Sequence, residues 1–263
     1  MVLDTGTVLR ARPSVCRLRY GAPRTSKLVA ALTDYYRGNY IEDKIGLNGI
    51  KLSGPGISFK FGLYGPIPYF DGSGTNVGTG PRSLNLLYNQ PFTISLTGSV
   101  VAGGTKTFIS CINSSASTGW SFQCSGNSVY FSMYAGSGVY QQVHNAGYSI
   151  LSSTATKRIT VSYSGNGHTS GFKFYQNGSL LSSNVSDHDG IGTGSTSTTN
   201  VLTVGQQDGG SVHYGTVGDI LIWLRQLSDS EILLDFADPF APVRPRRLDM
   251  AFPYLLSLTI VPS

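Results

Sequence analysis

Carboxylates are the scarcest chemical resource in this sequence. Of 263 residues only Glu42 and Glu231 are glutamates, and they lie far apart in the chain. Glu231 stands three residues after Ser228 at the head of an apolar run, where it reads as the partner of a helix cap. A general acid and its nucleophile or base must face one another across about 5 to 10 Å, and no predicted strand offers such a pair. Asp187 and Asp189 come nearest, but SDHDGIGTGSTST reads as a Gly/Ser loop with no framework to raise a pKa. The four histidines, His144, His168, His188 and His213, fall in turn-like surroundings without a spacing that would aim two at one metal. Gly-x-Ser-x-Gly does not occur, and the glycines are scattered as turn formers, so neither a hydrolase elbow nor a phosphate loop is expected. Cys16, Cys111 and Cys124 have neither the number nor the spacing of a disulfide framework or a zinc site. Cys111 and Cys124 flank a predicted hairpin turn (CINSSASTGWSFQC) and could face one another across it, a free, half-buried pair being the plainer alternative. The chemistry points away from an enzyme.

The elements that must position these residues are strands. Glycine occupies 33 positions, aromatics make up 11% of the chain and charged residues only 13%, a balance suited to strands joined by tight turns. There is no stretch of about 18 uninterrupted apolar residues and no apolar run of a secretion signal at the amino terminus, so the chain reads as soluble and not exported by the general secretory route. From Tyr69 onward, alternating runs such as PFTISLTG, KTFISCI, NSVYFSMY, KRITVSYS and GFKFYQNG are separated by Gly, Asn and Ser clusters, the pattern of a sandwich. Val129, Phe131 and Met133 share one face, Ile159, Val161 and Tyr163 another, and Phe172 and Phe174 flank an outward Lys173. The run from Ile220 to Leu224 is apolar on both faces and predicts a central strand buried on each side. Arg225 should then leave that strand for the surface, and Ser228 with Glu231 predicts one short helix.

Charge divides the chain further. Residues 1–27 carry Arg10, Arg12, Arg17, Arg19, Arg24 and Lys27 against Asp4, which equals the whole formal net charge of +5. A basic arm of this kind either meets nucleic acid or lies on an acidic neighbour. With Tyr20 its one aromatic, nucleic acid is the less favoured partner. Past Asp238 the chain carries five of its twelve prolines and reads as an extended tail ending in the strand-like LLSLTIV. Three regions are expected: a basic arm over 1–27, a sandwich over 28–237 and a tail over 238–263.

The order of these elements resembles the laminin-G-like, concanavalin A-like jelly-roll superfamily. The resemblance is carried by LVAAL at 28–32, KIGLNGIKLSG at 44–54, FGLYGPIPYFDGSG at 61–74, FTISL at 92–96, FKFYQNG at 172–178, LTVGQ at 202–206 and YGTVGDILIWLRQLSDSEI at 214–232. It implies an all-β fold: an antiparallel jelly-roll sandwich with one short C-terminal helix, here between extended arms. Glycosidases of the superfamily use paired carboxylates on one strand, an E-x-D-x-E pattern that this chain lacks. Such sandwiches often hold a calcium ion at a loop rim, for which Asp187, Asp189 and Asp208 are the candidates. Sugar binding would use rim aromatics and amides, with Trp120, Tyr134, Tyr140, Tyr148 and Gln206 as candidates, although Trp120 and Tyr148 read equally well as core. The carboxyl segment DPFAPVRPRRL resembles the ending of small laminin-G-like proteins encoded by phages and prophages. The resulting expectation is a non-enzymatic virion protein of a bacteriophage, on capsid or tail, assembled in the host cytoplasm. It would be docked on other virion proteins through its arms, by Arg10, Arg12, Arg17, Arg19 and Arg24 above all, as a homo-oligomer in the particle and with no membrane partner. The alternative is a glycan-binding adhesin that recognises a cell-surface glycan.

Overall fold

The computed structural model describes residues 28–34, 40–43, 50–74, 77–101, 103–145, 155–182, 184–192, 194–208 and 210–241. The basic arm, the end of the tail and Tyr148 therefore lie outside the described residues. In chain order the strands are β1 (Leu28–Asp34), β2 (Tyr40–Asp43), β3 (Ile50–Ser53), β4 (Ser58–Phe61), β5 (Pro66–Asp71), β6 (Val77–Thr79), β7 (Phe92–Val100), β8 (Thr105–Asn113) and β9 (Thr118–Ser125). They continue with β10 (Ser128–Ala135), β11 (Tyr140–Asn145), β12 (Lys157–Tyr163), β13 (Phe172–Gln176), β14 (Ser179–Leu180), β15 (Asn184–Asp189), β16 (Thr203–Val204) and β17 (Tyr214–Trp223). One α-helix, α1 (Asp229–Ala237), follows β17.

Every pairing is antiparallel, and the strands form two sheets. In the first, β17 pairs with β7 along one side and with both β1 and β5 along the other. Beyond β7 come β12, β13 and β14, and beyond β5 comes β4. The second sheet runs β2, β3, β6, β16, β8, β9, β10, β11, β15. Strand β2 pairs with β1 as well as with β3, so it joins the sheets along one side.

The alternation predicted for the strands decides what lies between the sheets. Val129, Phe131 and Met133, Ile159, Val161 and Tyr163, and Phe172 and Phe174 all enter one buried cluster, while Lys173 between the last two is exposed. Aromatic rings dominate that core: Phe92 contacts Phe131 and Tyr163, with centroids 5.2 and 5.3 Å apart, and Trp120 stacks on Phe131 at 6.0 Å. Such pairs each add roughly 0.5–1.5 kcal/mol beyond their area burial.

Strand β17 is buried on both faces, as its sequence implies. Val217, Ile220 and Ile222 face the inter-sheet core, whereas Leu221 and Trp223 face a second cluster with Tyr64, Tyr175, Leu227, Ile232 and Phe240. That second cluster lies where α1 covers the outer face of the first sheet. The helix begins as predicted: the Ser228 hydroxyl accepts the Glu231 N–H and the Glu231 carboxylate accepts the Ser228 N–H. Arg225 leaves the strand for a partly exposed position and grips Glu231 with two hydrogen bonds of 2.7 and 2.9 Å. This guanidinium and the cap hold the Glu231 carboxyl down at about 2.

A charge pair that the sequence does not announce fastens the helix from below. Arg158 on β12 and Asp235 on α1 are both almost fully buried, joined by hydrogen bonds of 2.9 and 3.0 Å, and Ser95 donates to the same carboxylate at 2.6 Å. The remaining Arg158 nitrogen donates to the Asp219 carbonyl oxygen. A buried ion pair persists only when its remaining donors and acceptors are satisfied in this way.

The structure corrects several sequence expectations. Residues 184–189 are not loop but strand β15, pairing with β11 from Gln141↔Asp189 to Asn145↔Asn184. His144 and His188 therefore stand on strands, and His213 is fully buried instead of turn-exposed. The β8–β9 hairpin forms where predicted, but its register sets Cys111 opposite Trp120 and Cys124 opposite Lys106. The two cysteines do not face one another; both are free and buried, and burial pushes their thiols up to about 11 and 12.

Candidate binding surface

With α1 closing the outer face of the first sheet, the outer face of the second is where side chains are presented. Its odd-even alternation places Tyr130, Ser132 and Tyr134 of β10 beside His144, Gln142 and Tyr140 of β11. Inner neighbours on the same strands, Phe131, Met133 and Val143, are core. On that outer face Tyr134 and Tyr140 lie nearly parallel with centroids 5.9 Å apart, and Tyr140 stacks on His188 of β15 at 4.1 Å. The three rings form a row across three strands, each partly exposed.

The row continues across the sheet in the other direction. Register sets Tyr134 opposite Gly119, and Gly119 opposite Ile112 of β8. Gly119 has φ +114, and a Cβ there would collide with the Cys111 carbonyl oxygen, so only glycine fits. The result is a gap between the ring row and Ile112. Ile112 in turn lines a cavity of about 470 Å³ whose polar walls are Thr79, Thr199, Asn200, Thr203, Gln206, Gln207 and Asp208. Asn200 donates to the Asp208 carboxylate at 2.9 Å and to the Ile112 carbonyl at 2.8 Å, which holds both groups in place. Cavity, gap and ring row thus follow one transverse line. Strands about 4.8 Å apart make the distance from β8 to β11 about 14 Å.

A parallel line of hydroxyls runs beside it. Thr203, Ser110, Ser121, Ser132 and Gln142 occupy successive strands; Ser110 bonds Thr203 at 2.8 Å, and Gln142 donates to Ser132 at 3.1 Å. Ser121 Oγ is buried without a hydrogen-bond partner. On the far side of this line Tyr130 packs on His144 at 4.9 Å, and His144 Nδ1 meets both oxygens of Asp187 at 2.8 and 2.9 Å.

The predicted site residues therefore separate. Tyr134 and Tyr140 come together, joined by His188, which sequence reasoning passed over because its strand has no apolar alternation to betray it. Gln206 lies at the other end of the line, in the cavity. Trp120 is not a rim residue: it is fully buried, its Nε1–H donating to the Leu84 carbonyl at 2.7 Å. Tyr148 is outside the described residues. Of the calcium candidates, Asp187 is engaged by His144, and Asp189 accepts from Gln141 at 3.0 Å, from the Thr169 N–H at 3.3 Å and from His168 at 3.2 Å. Asp208, at the cavity, accepts from Asn200 and from the Ser114 N–H. The three do not converge, and among the described residues no group of three or more His, Cys, Asp or Glu side chains could hold a metal ion.

Two antiparallel sheets, one closed by a helix and the other presenting rings and amides across its strands, define a lectin-like sandwich. The chain belongs to the concanavalin A-like lectin/glucanase superfamily, whose family model matches residues 71–233. No curated protein matches it in sequence. Among solved structures it is similar to the binding domain of Paraclostridial Mosquitocidal Protein 1, with a TM-score of 0.61 and 16% identity over 80% of this chain and 52% of that one. The botulinum neurotoxin serotype G binding domain aligns with a TM-score of 0.60 and 17% identity, over 80% of this chain and 50% of that one. A structure of botulinum neurotoxin type C, whose cell entry depends on interaction with two ganglioside molecules, aligns at 0.58 and 17%, over 82% and 52%. The chain spans about half the length of the structures it matches, and at these identities the likeness is one of fold.

Proposed function

We propose that this protein is a non-catalytic, glycan-binding module whose binding surface is the outer face of the second sheet. The observation that carries the reading is the row Tyr134, Tyr140, His188. The rings are stacked on one another, so the row offers a sugar its apolar ring edges and the two phenol hydroxyls, which together with the partly exposed Gln142 amide beside them take up its hydroxyl groups. Asn200, Gln206, Gln207 and Asp208 at the other end of the line supply a second set of polar partners. About 14 Å of surface suits an oligosaccharide lying across the strands. The cavity lining contains no basic residue and one carboxylate, so the preferred sugar there is neutral or carries an amine. Binding of the intact protein to an array of neutral and anionic glycans tests this. Retention of neutral oligosaccharides, lost in a Tyr134→Ala/Tyr140→Ala variant that melts like the wild type, is the result that supports the proposal. Equal retention by both proteins contradicts it.

A second reading concerns where the module works, and the distribution of charge favours it. Six basic residues within the first 27 positions account for the entire net charge. A segment that basic suits an acidic partner, on which its arginines pair with carboxylates in bidentate geometry. The proposal is that these arms dock the sandwich on other proteins of a bacteriophage particle, where it displays its sugar-binding face outward.

A further inference from the structure

Strand β4 is exposed along its whole length, with Phe61 86% and Phe59 40% exposed. Among the described residues β5 is the one strand that pairs with it, in a register that sets Phe59 opposite Pro68 and Phe61 opposite Pro66. Proline has no N–H, so these are the non-hydrogen-bonded pairs, and the ladder runs through Ser58↔Tyr69 and Lys60↔Ile67. The N–H and C=O groups of Phe59 and Phe61 consequently point away from β5, into the open edge. A charged side chain is a usual guard of such an edge. Here Lys60 is drawn over the ring of Tyr69 instead, its Nζ 3.3 Å from the centroid.

The chain's own tail begins beside this edge. Tyr64 sits in the turn between β4 and β5; its hydroxyl donates to the Phe236 carbonyl at 2.5 Å, and Phe240 packs edge-on against its ring with centroids 5.8 Å apart. Residues 242–254 then reach up to about 43 Å when extended, against about 13 Å for the four residues of β4, so the cost of closing the loop is small. Beyond them, residues 255–261 (LLSLTIV) alternate so that Leu256, Leu258 and Ile260 share one side. The described strands of the two sheets come from other segments, and this strand-like motif lies outside the described residues.

We propose that residues 255–261 add to the β4 edge of the same chain as a further strand, with Leu256, Leu258 and Ile260 covering Phe59 and Phe61. Strand addition of this kind takes its affinity from main-chain hydrogen bonds and its register from alternate side chains.

Amide hydrogen exchange of the intact protein, read residue by residue by NMR, tests the proposal against a Leu258→Pro variant, with Ile260→Pro as a second. Proline in the added strand removes a main-chain donor from it. The Phe59 and Phe61 amides should exchange at least tenfold faster in both variants, while those of Ser58 and Lys60, which face β5, and those of β7 stay unchanged. Phe59 and Phe61 amides that exchange equally fast in all three proteins overturn the proposal. Protection that grows with protein concentration overturns it in favour of a second copy on the edge. Protection lost around Leu233 and Leu234 of α1 instead, two leucines that are also exposed, would place the tail on the helix and overturn it as well.

Discussion

Tyr140 is the residue on which the proposed binding surface turns, because it contacts both Tyr134 and His188. Replacing it by alanine removes the centre of the row and should weaken glycan binding about fivefold, the scale of one aromatic contact of roughly 1 kcal/mol. The unfolding midpoint should move little, since the ring is partly exposed; calorimetric titration beside a melting curve separates the two effects. A different residue controls the response to acid. His213 is fully buried against Phe70 and Phe108, its Nε2 donates to the Ser99 carbonyl at 3.0 Å, and its Nδ1 has no partner. Burial lowers its pKa from 6.5 to about 4. The unfolded chain therefore takes up a proton near pH 6.5 that the folded chain refuses until about pH 4, so stability is full above that window and falls as pH drops through it. The loss by pH 4 is on the order of 3 kcal/mol. Urea denaturation between pH 7 and 4 should show this slope, and His213→Asn should flatten it. Nothing in the sequence signals such burial: GGSVHYG reads as a turn, and only the packing of β17 against β5 and β7 brings the ring inside.

At the scale of elements, α1 is held by two devices of different kinds. Its cap was legible, because Ser228 and Glu231 stand at the spacing that reciprocal hydrogen bonds require. Ser228→Ala should cost about 1 kcal/mol of stability, measured as a shift in unfolding midpoint at constant denaturant slope. The buried Arg158–Asp235 pair was not legible, since a lone arginine in KRITVSY and a lone aspartate in EILLDF carry no mark of each other. Arg158→Met leaves the Asp235 carboxylate buried and unpaired, and should destabilise by about 3–5 kcal/mol. Adding Asp235→Leu should recover most of that loss, and a recovery smaller than half would mean that the pair is not the fastening of the helix. Strands split along the same line. Those with apolar alternation, such as β10, β12 and β13, are evident from their residues, because one face is core. Strand β15 (NVSDHD) has no core face of its own and is specified by pairing with β11 alone, which is why its aspartates and His188 read as loop.

For the whole molecule, the sandwich and the order of its elements follow from alternation and turn residues over most of the chain, whereas the proposed binding surface depends on register. Tyr134 in SVYFSMYA and His188 in NVSDHD are 54 positions apart, and only the β10–β11–β15 pairing brings them to either side of Tyr140. The proposed docking role of the amino-terminal segment is tested separately. Deleting residues 1–25 should abolish incorporation into particles that lack this protein, and incorporation of the full chain should weaken with added salt, because exposed arginine pairs are screened over about 8–10 Å. The central claim is that the line from the cavity at Asn200 and Asp208 to the rings of Tyr134 and Tyr140 holds a neutral sugar. A crystal structure of the protein with an oligosaccharide selected on the array tests it most directly. The account predicts a sugar ring laid on the Tyr134–Tyr140 row with its chain running toward Gln206; sugar bound anywhere off the outer face of the second sheet would contradict it.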